Sequence, residues 1–261
     1  MFRLERDGHA LICGASKGIG RGAARAIAGL GVHMTVLARS ESILSDLVGE
    51  LKTLGARSAG YIVADLDDRA SLLAQVDRLM AERGPIHILL NNTGGPAAGS
   101  LLEADEEALL HGFSRHVLGA QRLAQRLVPG MSAAGYGRII NILSSSVREP
   151  IPGLGVSNLV RAAMASWSKT LSRELPPGVT VNSILPGKID TGRLTEIKAA
   201  FATKAGTTVE AVESQWIDAI PEGRLGTTDE IGGVIAFLAS PAGSFVRGVC
   251  LPVDGGQLRA I

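Results

Sequence analysis

The amino-acid sequence is poor in aromatic residues, in cysteine and in net charge, and these shortages exclude several classes of protein. Aromatic residues make up 3% of the 261 residues, and 26 basic and 25 acidic residues leave a net charge of +1. The charges are mixed along the chain without a basic stripe, so we expect no nucleic-acid partner. The two cysteines, Cys13 and Cys250, lack metal-ligand spacing, which predicts reduced thiols, no metal site and a cytoplasmic location.

Long hydrophobic runs are also missing. No apolar run approaches the roughly 18 residues that a membrane helix needs. The polar segment Met1–His9 does not have the pattern of a signal peptide. We therefore expect no membrane partner.

What is present is a hydrophobic content of 46% with 33 glycines, which suits a sheet covered by Ala-, Gly- and Leu-rich helices. Short apolar runs alternate with amphipathic stretches, which predicts one domain over residues 1–261 with parallel strands and helices on both faces. The predicted strands are His9–Cys13, His33–Ala38, Ala59–Ala64, Ile86–Leu90, Arg138–Leu143, Val179–Leu185 and Val249–Val253. The predicted helices are Ile19–Leu30, Ser42–Leu54, Arg69–Arg83, Glu106–Val128, Leu159–Leu175 and Asp229–Ala239.

One region departs from this alternation. Residues Gly192–Glu222 form an insertion between the sixth and seventh predicted strands. Ligands of such sheets bind beyond the carboxyl ends of the strands, where an insertion can close over them. We expect this segment to shape the substrate pocket.

The first predicted strand ends in a glycine-rich turn, and a helix begins from that turn. Glycines allow a tight turn and close approach of the backbone to a pyrophosphate, and the free N–H groups of the helix start attract its charge. The spacing is Gly-x-x-x-Gly-x-Gly. It predicts a dinucleotide site formed by Gly14, Ser16, Lys17, Gly18, Ile19 and Gly20.

The end of the second predicted strand indicates which dinucleotide binds. A site for NAD places a carboxylate there to accept the ribose hydroxyls, but this chain has Ala38 and Arg39. Arg39 and Lys17 can bracket a 2′-phosphate with charge-assisted hydrogen bonds. The cofactor prediction is therefore NADP(H), with two solvated surface cations as the alternative interpretation.

Together these motifs resemble the classical short-chain dehydrogenase/reductases, in order and spacing, along almost the whole chain. The resemblance rests on the glycine-rich turn and on Asp65, Asn91-Asn92-Thr93-Gly94, Pro186-Gly187-Lys188-Ile189-Asp190-Thr191, Gly223-Arg224-Leu225-Gly226 and Val253-Asp254-Gly255-Gly256. It implies a three-layer Rossmann fold, with a seven-stranded parallel sheet and helices on both faces. It also implies a homotetramer or homodimer.

The resemblance further implies roles for residues of the cofactor cleft. Asp65 and Leu66 are expected to contact the adenine. Asn92 and Gly94 are expected on the adenosine ribose side. The nicotinamide carboxamide and pyrophosphate are assigned to the loop after the sixth strand, through Pro186, Gly187, Ile189 and Thr191.

The proton-transfer residues of the family are replaced. The family serine aligns with Ser144, but the family tyrosine aligns with Ser157 and the family lysine with Arg161, which gives Ser-Asn-x-x-Arg in place of Tyr-x-x-x-Lys. The family's helical asparagine aligns with His116. The only tyrosines, Tyr61 and Tyr136, are predicted at the opposite edge of the sheet, so no displaced tyrosine restores the standard mechanism.

The replacements retain some chemistry. Arg161 can hold the nicotinamide ribose or a developing oxyanion, while Ser144 and Ser157 can donate hydrogen bonds to a substrate oxygen. His116, with an ordinary pKa of about 6.5, and Lys188 are the candidate proton donors. A structural histidine and a solvated lysine are the alternatives.

Two hypotheses on function remain open. In the first, the chain is an NADP(H)-dependent oxidoreductase that reduces a carbonyl or oxidises an alcohol with an atypical active site. In the second, it is a non-catalytic NADP(H)-binding protein, acting as a redox sensor or partner subunit. The polar character of the substitutes favours the enzyme, whose small-molecule substrate cannot be read from the sequence.

Overall fold

The computed structural model of the protein describes residues 7–260. Seven parallel strands form one sheet in the order β3-β2-β1-β4-β5-β6-β7, which confirms the predicted sheet. The strands are β1 His9–Cys13, β2 His33–Ala38, β3 Ser58–Val63, β4 Ile88–Asn91, β5 Gly137–Ile142, β6 Val179–Pro186 and β7 Cys250–Val253.

Helices cover both faces of this sheet, and two apolar clusters fill the space between the layers. The helices are α1 Gly18–Ala28, α2 Glu41–Thr53, α3 Arg69–Arg83, α4 Glu106–Phe113, α5 Gly119–Ala134, α6 Gly155–Glu174, α7 Gly192–Ala205, α8 Val209–Asp218 and α9 Thr228–Ala239. The strands β1, β5 and β6 are buried along their whole length, as expected for a parallel sheet that is covered on both faces.

The strand order reverses between β1 and β4, which both pair with their neighbours in parallel register. A crevice opens at such a switch point, beyond the carboxyl ends of the two strands. The glycine-rich turn follows β1 there, and the segment that begins at Asn92 follows β4. The fold therefore brings the two motifs together.

Two predicted helices differ from those observed. The predicted helix over Glu106–Val128 is interrupted by a π-helical turn at Ser114–Leu118, a distortion that often marks functional sites. Helix α6 begins at Gly155, four residues before the predicted start, and a side chain at Gly155 would lie 2.4 Å from the Leu101 backbone nitrogen.

The segment 192–222 folds into α7 and α8, which periodicity did not predict. Thr191 and Thr208 cap the two helices, each accepting a hydrogen bond from a backbone N–H three residues on. The buried Lys198 joins the helices through an ion pair of 2.6 Å with Glu213. The insertion is therefore a helical hairpin beside the cleft.

The apolar face of α6 packs onto the sheet, so Val160 and Met164 are 0% and 2% exposed. Tyr61 lies within β3 rather than at the opposite edge of the sheet, and its hydroxyl donates to Glu41. Tyr136 precedes β5 as predicted.

No helix within residues 7–260 has the length and apolar content needed to cross a bilayer. Cys13 and Cys250 are free thiols, and burial raises the pKa of Cys13 to about 12. Among the described residues, no cluster of three or more His, Cys, Asp or Glu side chains is arranged to hold a metal ion.

Candidate active site

The glycine-rich turn has no room for side chains at two of its positions. A Cβ at Gly20 would lie 2.1 Å from the Gly14 carbonyl oxygen, and one at Gly14 would lie 2.6 Å from the Asn92 carbonyl oxygen. Gly14 and Gly18 also have φ values of +61° and +56°, in the left-handed region that favours glycine. The close approach of backbones explains why the pattern needs glycine here.

Asn92 fastens this turn to the end of β4. Its Nδ2 donates to the carbonyl oxygens of Gly14 at 3.1 Å and Cys13 at 3.4 Å. The asparagine thus shapes the turn itself, in addition to the ribose contact that the resemblance implies for it and Gly94.

Helix α1 points its N-terminus into the crevice. Lys17 precedes the helix with an extended backbone and no side-chain cap, and no acidic residue lies in the first turn. The first N–H groups and the positive end of the helix dipole are therefore available to an anion such as a phosphate. Ser16 and Ile19 flank this position.

The loop after β6 forms the facing wall. Thr191 lies opposite the turn, since a Cβ at Gly18 would be 3.4 Å from its methyl group. The Gly187 N–H donates to Val253 at 3.1 Å, and a Cβ at Gly187 would lie 2.7 Å from Asp254. The loop after β6 also pairs with the segment before α9, because Gly226 exchanges backbone hydrogen bonds with Lys188 and Asp190. The motifs after β6, before α9 and after β7 therefore contact one another. This wall of the cleft contains Pro186, Gly187 and Ile189.

Arg39 lies at the carboxyl end of β2, directly after Ala38. Its side chain is 75% exposed and lies 3.8 Å from Asp65, which is 41% exposed. Arg115 binds Asp67 at 2.7 Å and approaches Asp65 at 3.9 Å. Arg39 is therefore free to turn towards a phosphate, because its exposed ion pair contributes little stability.

The chemical end of the cleft lies at the carboxyl end of β5. Ser144 follows this strand, half-buried, and its Oγ accepts a hydrogen bond from the Ser146 N–H at 3.1 Å. A hydroxyl that accepts keeps its own proton for donation. Ser157 and Arg161 lie one turn apart on α6, so their side chains share a helix face.

Arg161 is a buried cation. It is 8% exposed, and its Nη1 donates to the Ile142 carbonyl oxygen at 2.5 Å. Burial, and then the charge of Arg193, lower the pKa of Arg161 to about 10. The guanidinium remains charged at neutral pH and cannot act as an acid there.

His116 lies in the π-helical turn and is 5% exposed. Its ring nitrogens lie 3.2 and 3.3 Å from the Thr93 hydroxyl. Burial, followed by the charges of Arg161 and Arg115, lowers the pKa of His116 to about 2. The imidazole is therefore neutral at neutral pH, which argues against the proton donor of ordinary pKa that the sequence offered.

Lys188 is half-buried beside the helical hairpin, with its Nζ 4.1 Å from the centre of the Trp216 ring. Trp216 in turn meets Phe201 edge-on at 5.5 Å. Burial lowers the pKa of Lys188, and a cavity of about 280 Å³ opens next to it. The lysine thus contacts the hairpin and is not the solvated charge of the alternative interpretation.

A buried polar network fixes the strands that carry this site. Asn91 donates to Asn141 at 2.8 Å, and Asn141 donates to Ser168 at 2.8 Å. The Ser183 hydroxyl also donates to the Ser168 hydroxyl, at 3.1 Å. These hydrogen bonds join β4, β5, α6 and β6 in the apolar interior, so they hold Ser144 and Arg161 in register.

Sequence reasoning missed Thr93, Arg115 and Arg193. Arg193 crosses the cleft from α7, and its Nη2 donates to the Pro96 carbonyl oxygen at 2.5 Å. A polar residue directly after the Thr191-Gly192 motif was the available signal. Arg115 pairs with Asp67, the second of three aspartates after β3, and no spacing rule connects the two residues.

Comparison with known proteins agrees with this geometry. The family model described as Enoyl-(Acyl carrier protein) reductase matches residues 14–257. A 2,3-dihydroxy-2,3-dihydro-p-cumate dehydrogenase of Pseudomonas putida is 32% identical over 250 residues, which cover 95% of this chain and 93% of that protein. A 3-oxoacyl-(acyl-carrier-protein) reductase of Pseudomonas aeruginosa is 31% identical over 251 residues, which cover 95% of this chain and 96% of that protein.

Solved structures share the whole fold. L-sorbose reductase of Gluconobacter frateurii, complexed with NADPH and L-sorbose, superposes with a TM-score of 0.90 at 28% identity and covers 100% of both chains. The similarity thus extends over the full length of both chains. This chain belongs to the short-chain dehydrogenase/reductase family of oxidoreductases.

Proposed function

We propose that the protein is an NADP(H)-dependent oxidoreductase that reduces a carbonyl or oxidises the corresponding alcohol at an atypical proton-transfer site. The observation that carries this proposal is the crevice between the glycine-rich turn and Thr191, with the uncapped start of α1 at its base. Relatives above 30% identity are named as dehydrogenases and reductases, and two structural neighbours are described as complexes with NADPH.

The residues present fit this cofactor. The backbone cradle at Gly14 and Gly20 would be filled by any Cβ, and Arg39 is exposed at the position that separates NADP from NAD. In this proposal α1 and Lys17 hold the phosphates, and Asp65 and Leu66 border the adenine. Asn92, Gly94, Arg161, Pro186, Gly187, Ile189 and Thr191 complete the cleft.

A dinucleotide held by these residues would supply hydride chemistry at the carbonyl carbon. Ser144 and Ser157 donate hydrogen bonds to the carbonyl oxygen, and the Arg161 charge stabilises the negative charge that develops there. The resulting alkoxide takes a proton from Lys188 or from solvent. His116 is buried, neutral and in contact with the Thr93 hydroxyl, so in this proposal it does not supply the proton.

Two measurements together test the function. Titration of the protein with NADPH and NADH should show tighter binding of NADPH, and a panel of carbonyl compounds should consume NADPH with at least one of them. Equal affinities would contradict the assigned cofactor. Tight NADPH binding without turnover of any carbonyl or alcohol would instead support the non-catalytic binding protein, which the absence of an ionising residue at position 157 favours.

We also propose that the chain forms a homodimer or homotetramer through α4 and α6. Leu110, Phe113 and Leu118 are 62%, 40% and 39% exposed, and Leu159 on α6 is 43% exposed. Exposed apolar side chains grouped on adjacent elements are typical of an interface between copies. Light scattering at micromolar concentration should give at least twice the chain mass, and Leu110→Glu should lower it, while a monomer mass for the parent would contradict the assembly.

A further inference from the structure

The deepest charge in the cleft is a cation that no acidic side chain neutralises. The Arg161 Nε is buried without a hydrogen-bond partner in residues 7–260. No carboxylate of those residues lies within 4.0 Å of its guanidinium. A buried charge without a counter-ion is strongly unfavourable. An anion that enters the cleft would neutralise the Arg161 charge.

A second cation faces the same place. Arg193 reaches across the cleft from α7 to Pro96. On its solvent side it pairs with Glu196 at 3.1 Å, but that carboxylate is 59% exposed, so water and salt screen its charge. The two guanidinium groups repel each other across the cleft, since the Arg193 charge adds to the burial that lowers the pKa of Arg161.

The two guanidinium groups meet at Gly95. A Cβ at this position would lie 3.5 Å from the Arg161 Nη2 and 3.7 Å from the Arg193 Nη2. Neighbouring groups add no negative charge, because Ser157 does not ionise near neutral pH and His116 is neutral. The missing side chain of Gly95 thus leaves open a position that contacts both cations.

We propose that Arg161 and Arg193 clamp the carboxylate of the substrate beside Gly95, so that the substrate is an oxo acid or the matching hydroxy acid. This inference rests on the proposed function, since it assigns the substrate class of the same cleft. Two guanidinium forks match the planar, two-oxygen geometry of a carboxylate. The ribose hydroxyls of the cofactor are neutral, so they satisfy donors of Arg161 without neutralising its charge.

Binding of an unreactive anion tests the clamp without turnover. Malonate is titrated into the NADP⁺-loaded protein by calorimetry, with dimethyl malonate as the uncharged control. Malonate should bind and dimethyl malonate should not. Arg193→Gln and Gly95→Ala should each lower the affinity for malonate by about tenfold or more. Gly95→Ala keeps both charges and adds only a methyl group at ordinary contact distance. Arg173→Gln, at the exposed far end of α6, should leave malonate binding unchanged.

Matched substrates then separate the clamp from the proposed function. For acetoacetate against methyl acetoacetate, and pyruvate against methyl pyruvate, at least one acid should exceed its ester in kcat/KM by about tenfold or more. Arg193→Gln should remove that preference. If esters and acids react equally, or if neither variant weakens malonate, the clamp is wrong although the oxidoreductase stands. If malonate binds as expected but no carbonyl compound reacts, the clamp stands and the proposed function fails.

Discussion

The two ends of the cleft are held in different ways. At the cofactor end, backbone meets backbone, and Gly14 and Gly20 leave no space for any other residue. At the chemical end, side chains set the environment, and a buried guanidinium lies next to a histidine that burial keeps neutral. The first end is defined by steric fit, while the second is defined by electrostatics. Changes at the two ends should therefore fail in different ways.

The largest expected effect comes from closing the steric end. Gly20→Ala places a Cβ 2.1 Å from the Gly14 carbonyl oxygen, so the turn must move away from the phosphates. NADPH affinity should fall by at least about 100-fold, or about 2.7 kcal/mol. Gly49→Ala is the matched control, since nothing lies within 4 Å of a Cβ there. Fluorescence titration of both variants decides, and unchanged affinity in Gly20→Ala would refute the steric account.

At the electrostatic end, removal of a charge should separate stability from binding. Because burial lowers the pKa of Arg161 to about 10, its charge destabilises the cofactor-free fold at every pH below that value. Arg161→Met should therefore leave the free energy of unfolding unchanged or raise it by about 1–4 kcal/mol, while NADPH affinity and turnover fall together. Denaturant unfolding without cofactor checks the first part. A strongly destabilised variant would contradict this account, because it would show that the hydrogen bond to Ile142 outweighs the cost of burying the charge.

Arg39→Ala should change cofactor preference rather than overall binding. The side chain is 75% exposed, so its removal costs the fold little, but it takes away a charge-assisted contact to the 2′-phosphate. NADPH affinity should fall by about tenfold, and NADH affinity should stay the same. Parallel titrations with both dinucleotides measure this, and an equal loss for NADPH and NADH would place Arg39 elsewhere in the site.

The smallest expected effect concerns pH. Since the pKa of His116 is lowered to about 2, the folded protein takes up no proton at this site between about pH 5 and 8. His116→Asn should leave the shape of the pH–rate profile unchanged in that range. The unfolded chain does bind this proton below a pKa of about 6.5, so the parent should lose stability as the pH falls, and the variant should lose less. If the parent's rate changes with pH near neutrality and this change disappears in His116→Asn, the histidine would be the proton donor.

The same contrast explains how much of the molecule could be predicted from the sequence. The sheet and the glycine-rich turn follow from local patterns, because a buried parallel strand needs apolar residues and a backbone contact needs glycine. The π-helical turn at Ser114–Leu118 could not be predicted, since it arises in the middle of an otherwise regular amphipathic pattern. The burial of Val160 and Met164 could not be predicted either, because periodicity does not tell how much of a helix the sheet covers.

The environment of the electrostatic end could not be predicted from the sequence. The family resemblance assigned Ser157, Arg161 and His116 to one cleft, but the neutrality of His116 depends on burial and on two arginines that tertiary packing brings near. Arg193 comes from the helical hairpin, whose path across the cleft no local pattern encodes. The protonation state of a side chain depends on its burial and on its distance from other charges, and only the folded structure sets both.

Hydride transfer by this altered site is the central claim, and isotope transfer tests it most directly. NADPH carrying deuterium at the transferable position of the nicotinamide is bound to the protein, and oxo acids and neutral carbonyl compounds are added under single-turnover conditions. The account predicts deuterium on the new carbinol carbon of at least one product, detected by mass spectrometry. NADPH that binds tightly but leaves no deuterium in any product would contradict it.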